Sequence, residues 1–382
     1  MQFTRDIKPN IINTLRLKKI ALIYGARQTG KTTLAKDVAE EMVKQNNWGG
    51  YLYLNCDEPD VAISLTAKTS TELKSIIGNN KIVIIDEAQR VENIGLSLKL
   101  IHDTFSDIRL IITGSSSLDL ANKVIEPLTG RNIESKLFPI SLTELKNSFN
   151  EIEINRRLEE LLIYGSYPEV INTASQNKVT ILSNISKNYL YKDLFKFQDI
   201  RNPDLINNLL KALAFQLGNE VSITELANLL EVDKETVQRY IELLEKSFVI
   251  YRLGPLARNK RNEVGKFKKI YFNDLGMRNS IIGNFNSLQV RNDVGALWEN
   301  FCINERIKLA QVKNEIPNYY FWRNYYGAEI DFIEEWGGKL NSFEFKWNKD
   351  RKIPPKAFTD EYGHIVEFKT INKNNFLENL TN

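Results

Sequence analysis

Histidine and cysteine are scarce, with two of each in 382 residues. Zinc ribbons and fingers draw four such ligands from close spacings, so they are excluded. Cys56 and Cys302 lie in different halves of the chain, which fits buried thiols in a reducing compartment better than a disulfide framework. No apolar run reaches the roughly 18 residues of a membrane span, so no membrane partner is expected. The opening MQFTRDIKPN lacks the apolar core of a signal peptide, and the expected address is cytoplasmic. Excess charge is also lacking: the net value of +3 is too small to argue for nucleic acid, which must rest on local clusters. What remains is an ordinary globular balance, 42% hydrophobic and 26% charged, in a chain long enough for two or three domains.

The stretch GARQTGKT at 25–32 fits G-x-x-x-x-G-K-[ST]. Before it, KKIALIY reads as a buried strand; after it, TTLAKDVAEEMVK repeats apolar residues at helical spacing. Strand, glycine loop and helix are the context of a phosphate cradle. Gly25 and Gly30 permit tight backbone angles, and the amides of Gly25, Ala26, Arg27, Gln28, Thr29, Gly30, Lys31, Thr32 and Thr33 would surround phosphate oxygens. Lys31 would reach the β- and γ-phosphates of ATP, and Thr32 would place its hydroxyl on Mg²⁺. The competing reading is a glycine turn before a helix with an exposed lysine. Downstream, KIVIIDEAQR ends an apolar strand in two carboxylates. Asp86 would hold Mg²⁺, and Glu87 would orient or deprotonate water.

With GARQTGKTT, IVIIDEAQ and RLIITGSSS in hand, the chain resembles the AAA+ class of P-loop ATPases. The resemblance implies a polar γ-phosphate sensor after the next strand. Thr113 is the first candidate and Ser115 the second; either hydroxyl could instead cap the helix that SSSLDL begins. It also implies a finger or sensor arginine, with Arg131 at the end of LTGR and Arg27 as candidates; a finger acting across subunits would require a homo-oligomer. YGSYPEV resembles a G-x-P lid segment near the adenine, with Gly165 and Pro168 in the matching places. Apolar runs at 51–54, 82–85 and 108–112, separated by helical patterns, predict a parallel sheet covered on both faces.

Residues 151–217 read as a helical lid and connector. Residues 218–254 read as helix, turn, helix and strand, a winged helix-turn-helix pattern. Lys234, Gln238 and Arg239 would begin its recognition helix. The following stretch 252–269 holds seven basic residues and one acidic, a candidate DNA contact beside the alternative of a solvated loop. Residues 255–382 contain GALWENFCINERIKLA, expected as an amphipathic helix, then two strands with Asp331 in one and Glu344-Phe345-Lys346 in the other. This is the D…E-x-K arrangement of PD-(D/E)xK nucleases, which Glu299 would complete. E-x-K occurs five times in the chain, so its value lies in following Asp331 by one hairpin. The competing reading is charge pairing across the hairpin.

Over nearly its whole length the chain is similar to a family of prokaryotic AAA+-type ATPases with a C-terminal domain of unknown function bearing that signature. The supporting stretches include IDEAQ, YGSYPEV, IYFNDLGMRN, LWENF, EIDFIE and EFKWN; Ile330 stands where the signature has proline. The expected architecture is α/β: an AAA+ P-loop domain at 1–150, the lid, the winged helix, and a nuclease-like α/β domain. The expected function is an ATPase. The alternatives are a nucleotide-gated DNA-binding protein with an inert nuclease-like domain, and an ATP-licensed nuclease.

Overall fold

The computed structural model describes residues 1–115, 126–189, 203–256, 268–348, 353–363 and 366–382. They form two compact units, one of Arg5–Phe138 with Lys246–Phe248, the other of Met1–Thr4, Pro139–Glu245 and Val249–Asn382.

The first unit is built on five parallel strands, β1 (Ile20–Tyr24), β2 (Leu52–Asn55), β3 (Ile82–Asp86), β4 (Arg109–Gly114) and β5 (Asn132–Lys136), in the order β2-β3-β4-β1-β5. Successive side chains of a strand point to opposite faces. Ile20, Leu22, Val83, Ile85, Leu110 and Ile112 therefore enter one core, against the helices Ser70–Ile77 and Ile94–Thr104. Ala21, Ile23, Ile82, Ile84 and Ile111 enter the other, against the helices Lys8–Arg16 and Lys31–Asn46. Both faces are buried, which is why these strands read as continuous apolar runs. The expected parallel sheet is present. Its polar edge strand β5, NIESK, carries no such run.

The second unit contains a seven-stranded sheet in the order β12-β11-β10-β9-β7-β8-β6. The members are β6 (Glu220–Val221), β7 (Ile250–Pro255), β8 (Lys268–Phe272), β9 (Asn318–Arg323), β10 (Glu329–Trp336), β11 (Lys339–Phe345) and β12 (Val366–Ile371). The boundary expected at 254/255 thus falls inside β7, which pairs with β8 on one side and β9 on the other. The helix Val294–Val312 differs from the expected amphipathic one. It is buried on nearly every side, including Asn300, Asn304, Glu305 and Lys308. Those polar groups are bonded: Asn300 exchanges two hydrogen bonds with the Phe272 backbone, and Glu305 accepts from the Leu142 amide at 2.6 Å.

YGSYPEV and FNDLGMRN meet inside this unit. Gly165 has φ +70°, and a Cβ there would lie 2.2 Å from Asp274 Oδ1; a Cβ on Gly276 would lie 2.1 Å from the Tyr164 carbonyl oxygen. The buried Asp274 carboxylate accepts from the Ser166 amide at 2.8 Å and the Met277 amide at 3.0 Å. Within this unit the Gly165 segment therefore serves helix packing. Asp274→Ala strands two buried N–H groups and should lower unfolding free energy by about 3 kcal/mol. Urea denaturation would read this, and Asp274→Asn, which keeps one acceptor, should lose less.

Candidate functional site

The loop 25–30 leaves the carboxyl end of β1 and turns directly into the helix Lys31–Asn46. Gly25 is needed because a Cβ would sit 2.2 Å from the Leu137 carbonyl oxygen, and Gly30, at φ +95°, caps the helix in the left-handed region. The loop is tied from within and from behind. Thr29 Oγ1 donates to the Ala26 carbonyl at 2.8 Å, and the buried Arg5 guanidinium donates to the carbonyls of Thr29 (2.7 Å) and Phe138 (2.6 Å). Lys31 is buried, and its Nζ lies 3.0 Å from the Gly25 carbonyl and 2.9 Å from that of Ala26. The ammonium is therefore held over the loop. Arg27 is half-buried in the loop, while Gln28 and Thr33 are exposed.

Strand order brings the second half of the site into place. β4 lies between β1 and β3, so a β4 side chain can bridge the loop helix and the β3 carboxylate. Asp86 accepts from Thr32 Oγ1 at 2.9 Å, from Tyr53 Oη at 2.7 Å and from Thr113 Oγ1. Burial, and then the bond to Asp86, raises the Tyr53 phenol well above its usual range, so it stays a donor. Burial, and then the Asp86 charge, pushes the Cys56 thiol up to about 12, which removes it as a nucleophile. Glu87 has a left-handed backbone, φ +52°; its amide donates to Thr113 Oγ1 at 3.2 Å, and its carboxylate accepts from the Gln89 side-chain amide. The same Gln89 nitrogen lies 3.1 Å from Ser115 Oγ, while Gln89 Oε1 is buried and has no hydrogen-bond partner among the described residues.

The structure therefore gathers Gly25 to Thr32, Asp86, Glu87, Thr113 and Ser115. It does not bring Arg131 to them. Ile20 pairs with Asn132 and Tyr24 with Lys136, so Arg131 sits at the amino edge of the sheet, about 16 Å from the loop by strand rise. There it forms a two-pronged pair with Asp103 at 2.7 and 2.9 Å and holds that carboxyl well below its usual range. The residues not foreseen are Tyr53, Gln89 and Arg5. Gln89 lay in view inside IDEAQ, whereas Tyr53 and Arg5 carried no local signal.

The residues fit Mg²⁺ and a nucleoside triphosphate. No group of three His, Cys, Asp or Glu side chains able to hold a metal occurs among the described residues. A phosphate-bound Mg²⁺ needs only one or two protein ligands, because phosphate oxygens and water supply the rest. Thr32 and Asp86, joined by a hydrogen bond, would provide that pair.

The second unit holds the other expected cluster. A bulge in β10 between Ile330 and Ile333 re-aims Asp331, whose Oδ2 accepts from the Phe345 amide at 2.8 Å. Lys346 Nζ lies 2.9 Å from Glu344 and 3.5 Å from Asp331; Lys269 Nζ lies 3.2 Å from Glu299. Burial, and then the charges of Glu299 and Glu344, raises the Asp331 carboxyl well above its usual range. Burial works against the Lys269 ammonium, but Glu299 and Glu329 outweigh it and keep it charged. The basic stretch 252–269 is thereby depleted. Lys269 is turned into this cluster and Arg252 is bonded to Glu245, while residues 257–267 lie outside the described residues. Residues 116–120 of SSSLDL lie outside them as well.

Residues 17–146 match a family model described as an AAA domain. Residues 155–288 match a domain of unknown function (DUF8612), and residues 294–370 match another (DUF4143). An uncharacterized protein of Methanocaldococcus jannaschii is 28% identical over 349 residues, spanning 86% of this chain and 74% of that protein. One of Mycobacterium tuberculosis is 26% identical over 347 residues, spanning 90% and 73%. Among solved structures, AMPPCP-bound DnaA from Aquifex aeolicus superimposes with a TM-score of 0.32 at 16% identity, over 64% of this chain and 87% of that one. C. elegans PCH-2 gives 0.29 at 15%, over 62% and 68%. Likenesses this distant carry no functional inference. The first unit carries an AAA-type P-loop domain, and the C-terminal part matches the DUF4143 family. No helix among the described residues is long and apolar enough to cross a membrane.

Gly25→Ala drives a Cβ into the Leu137 carbonyl and should cost about 2 kcal/mol of stability. Gly49→Ala, where nothing lies within 4 Å, is the matched control and should be neutral in the same thermal melt.

Proposed function

We propose that the protein binds ATP on residues 25–33 and hydrolyses it. The observation that carries this reading is the Asp86 carboxylate bonded to the loop helix through Thr32, with Glu87 next in the chain. Lys31 would leave the Gly25 and Ala26 carbonyls for phosphate oxygens, and the loop amides would orient the triphosphate. Thr32 and Asp86 would hold Mg²⁺, whose charge would offset that developing on the phosphoryl oxygens. Glu87 takes the proton of, or orients, the attacking water, and Gln89 positions that carboxylate. Thr113 serves as the γ-phosphate sensor, because it joins the Asp86 side chain to the Glu87 backbone. Lys31→Ala should abolish ATP binding by calorimetry. Glu87→Gln should bind ATP with near-normal affinity and lose about a hundredfold in turnover; full turnover in that variant would refute its role.

DNA is the partner favoured by the second unit. Two helices, Ile223–Leu230 and Lys234–Lys246, are followed by the antiparallel pair β7–β8, and Lys234, Gln238 and Arg239 are exposed on the second helix. A winged helix would present that helix to the major groove.

A second reading concerns Glu299, Asp331, Glu344 and Lys346. Lysines already compensate these carboxylates, which favours an inert nuclease-like domain over an ATP-licensed nuclease. Purified protein with ATP and Mg²⁺ should leave plasmid DNA uncut. Cutting abolished by both Asp331→Ala and Lys346→Ala would reverse this reading.

A further inference from the structure

Within the second unit, a cavity of about 700 Å³ opens just past β11. Its wall joins Arg156 of the helix Glu151–Tyr164, Trp347 and Asn348 beyond the strand, and Lys373 and Asn374 beyond β12. Trp347 is half-buried, braced edge-on by the buried Trp298 at 5.3 Å between ring centroids. The Lys373 ammonium lies 5.7 Å from the centre of the Trp347 ring. Arg156, Asn348, Lys373 and Asn374 are exposed, and among the described residues no other side chain forms a hydrogen bond or ion pair with theirs. The one acid in the wall, Glu159, is engaged by the Leu288 amide at 3.0 Å.

A braced indole gathers in one recess with two cations and two carboxamides that have no hydrogen-bond or ion-pair partner among the described residues. The indole offers a face on which any base can stack. The carboxamides offer the donors and acceptors that match a base edge, and the cations suit the phosphates on either side. Bases inside a duplex are stacked on one another and cannot enter such a recess. We propose that this cavity binds an unpaired nucleotide of a single-stranded nucleic acid. The site is separate from the ATP loop and requires no cutting by the neighbouring carboxylates.

The test uses the full chain, a fluorescein-labelled twelve-nucleotide oligothymidylate, and anisotropy in EDTA without ATP. Failure here is thus distinguishable from failure of the ATPase reading. The oligonucleotide should bind, and an unlabelled duplex of equal length should compete poorly. Arg156→Glu and Lys373→Glu should each weaken binding by about threefold or more and flatten its salt dependence. Trp347→Leu should lose about tenfold, and Trp347→Phe, which keeps an aromatic face, far less. Because Trp347 packs on Trp298, its variants are read beside a thermal melt; the two charge reversals sit on exposed positions and keep the test decisive if Trp347→Leu fails to fold. Unchanged affinity in the double variant Arg156→Glu/Lys373→Glu would overturn the proposal. Displacement of the oligonucleotide by an equal nucleotide concentration of dTMP would overturn the strand in favour of a free nucleotide.

Discussion

Everything in the first unit converges on the Asp86 carboxylate. Three hydroxyls donate to it, from the loop helix, β2 and β4. A carboxylate in this position would repel electrons on neighbouring phosphates unless a cation came between them. The hydroxyls hold it oriented and close to Thr32 before any ligand arrives. The strand order makes this possible, because inserting β4 between β1 and β3 puts Thr113 between the loop and the acid. With both faces of the sheet buried, the carboxyl ends of the strands are the places left for polar chemistry.

The second unit is organised by buried polar groups instead. The helix Val294–Val312 presents Asn300, Asn304 and Glu305 to backbone groups of β8 and of residue 142, and Asp274 fills the space that Gly165 leaves. Such contacts favour this arrangement of helices, since losing one leaves a buried donor or acceptor unpaired. The same economy governs the carboxylates near Asp331. Placing Asp331 and Glu344, both buried, beside the half-buried Glu299 is tolerable because Lys269 and Lys346 are placed among them.

Much of the proposed nucleotide site was legible because its signals are local. GARQTGKT and IVIIDE each carry strand, turn and charge within ten residues, and the periodicity around them reports burial directly. Tyr53 and Arg5 were not legible, because each reaches the site through tertiary folding from a segment with no motif. Arg131 lies away from this chain's own loop for the converse reason. A short stretch such as LTGR says nothing about which edge of a sheet it ends on, and here β5 runs so that Arg131 precedes the strand. In the second unit, helical spacing foretold the helix at 294–312 but not its burial, because its polar residues are satisfied by distant backbone. The bulge that aims Asp331 at Glu344 and Lys346 likewise leaves no trace in an apolar–polar alternation.

The central claim is that Asp86 and Thr32 form the metal half of an ATP site. Calorimetric ATP affinity, with and without Mg²⁺, in the native protein and in Asp86→Asn tests it most directly. The account predicts that Mg²⁺ strengthens ATP binding in the native protein, and that Asp86→Asn removes this gain while leaving metal-free binding intact. An Asp86→Asn variant that keeps the full gain from Mg²⁺ would contradict it.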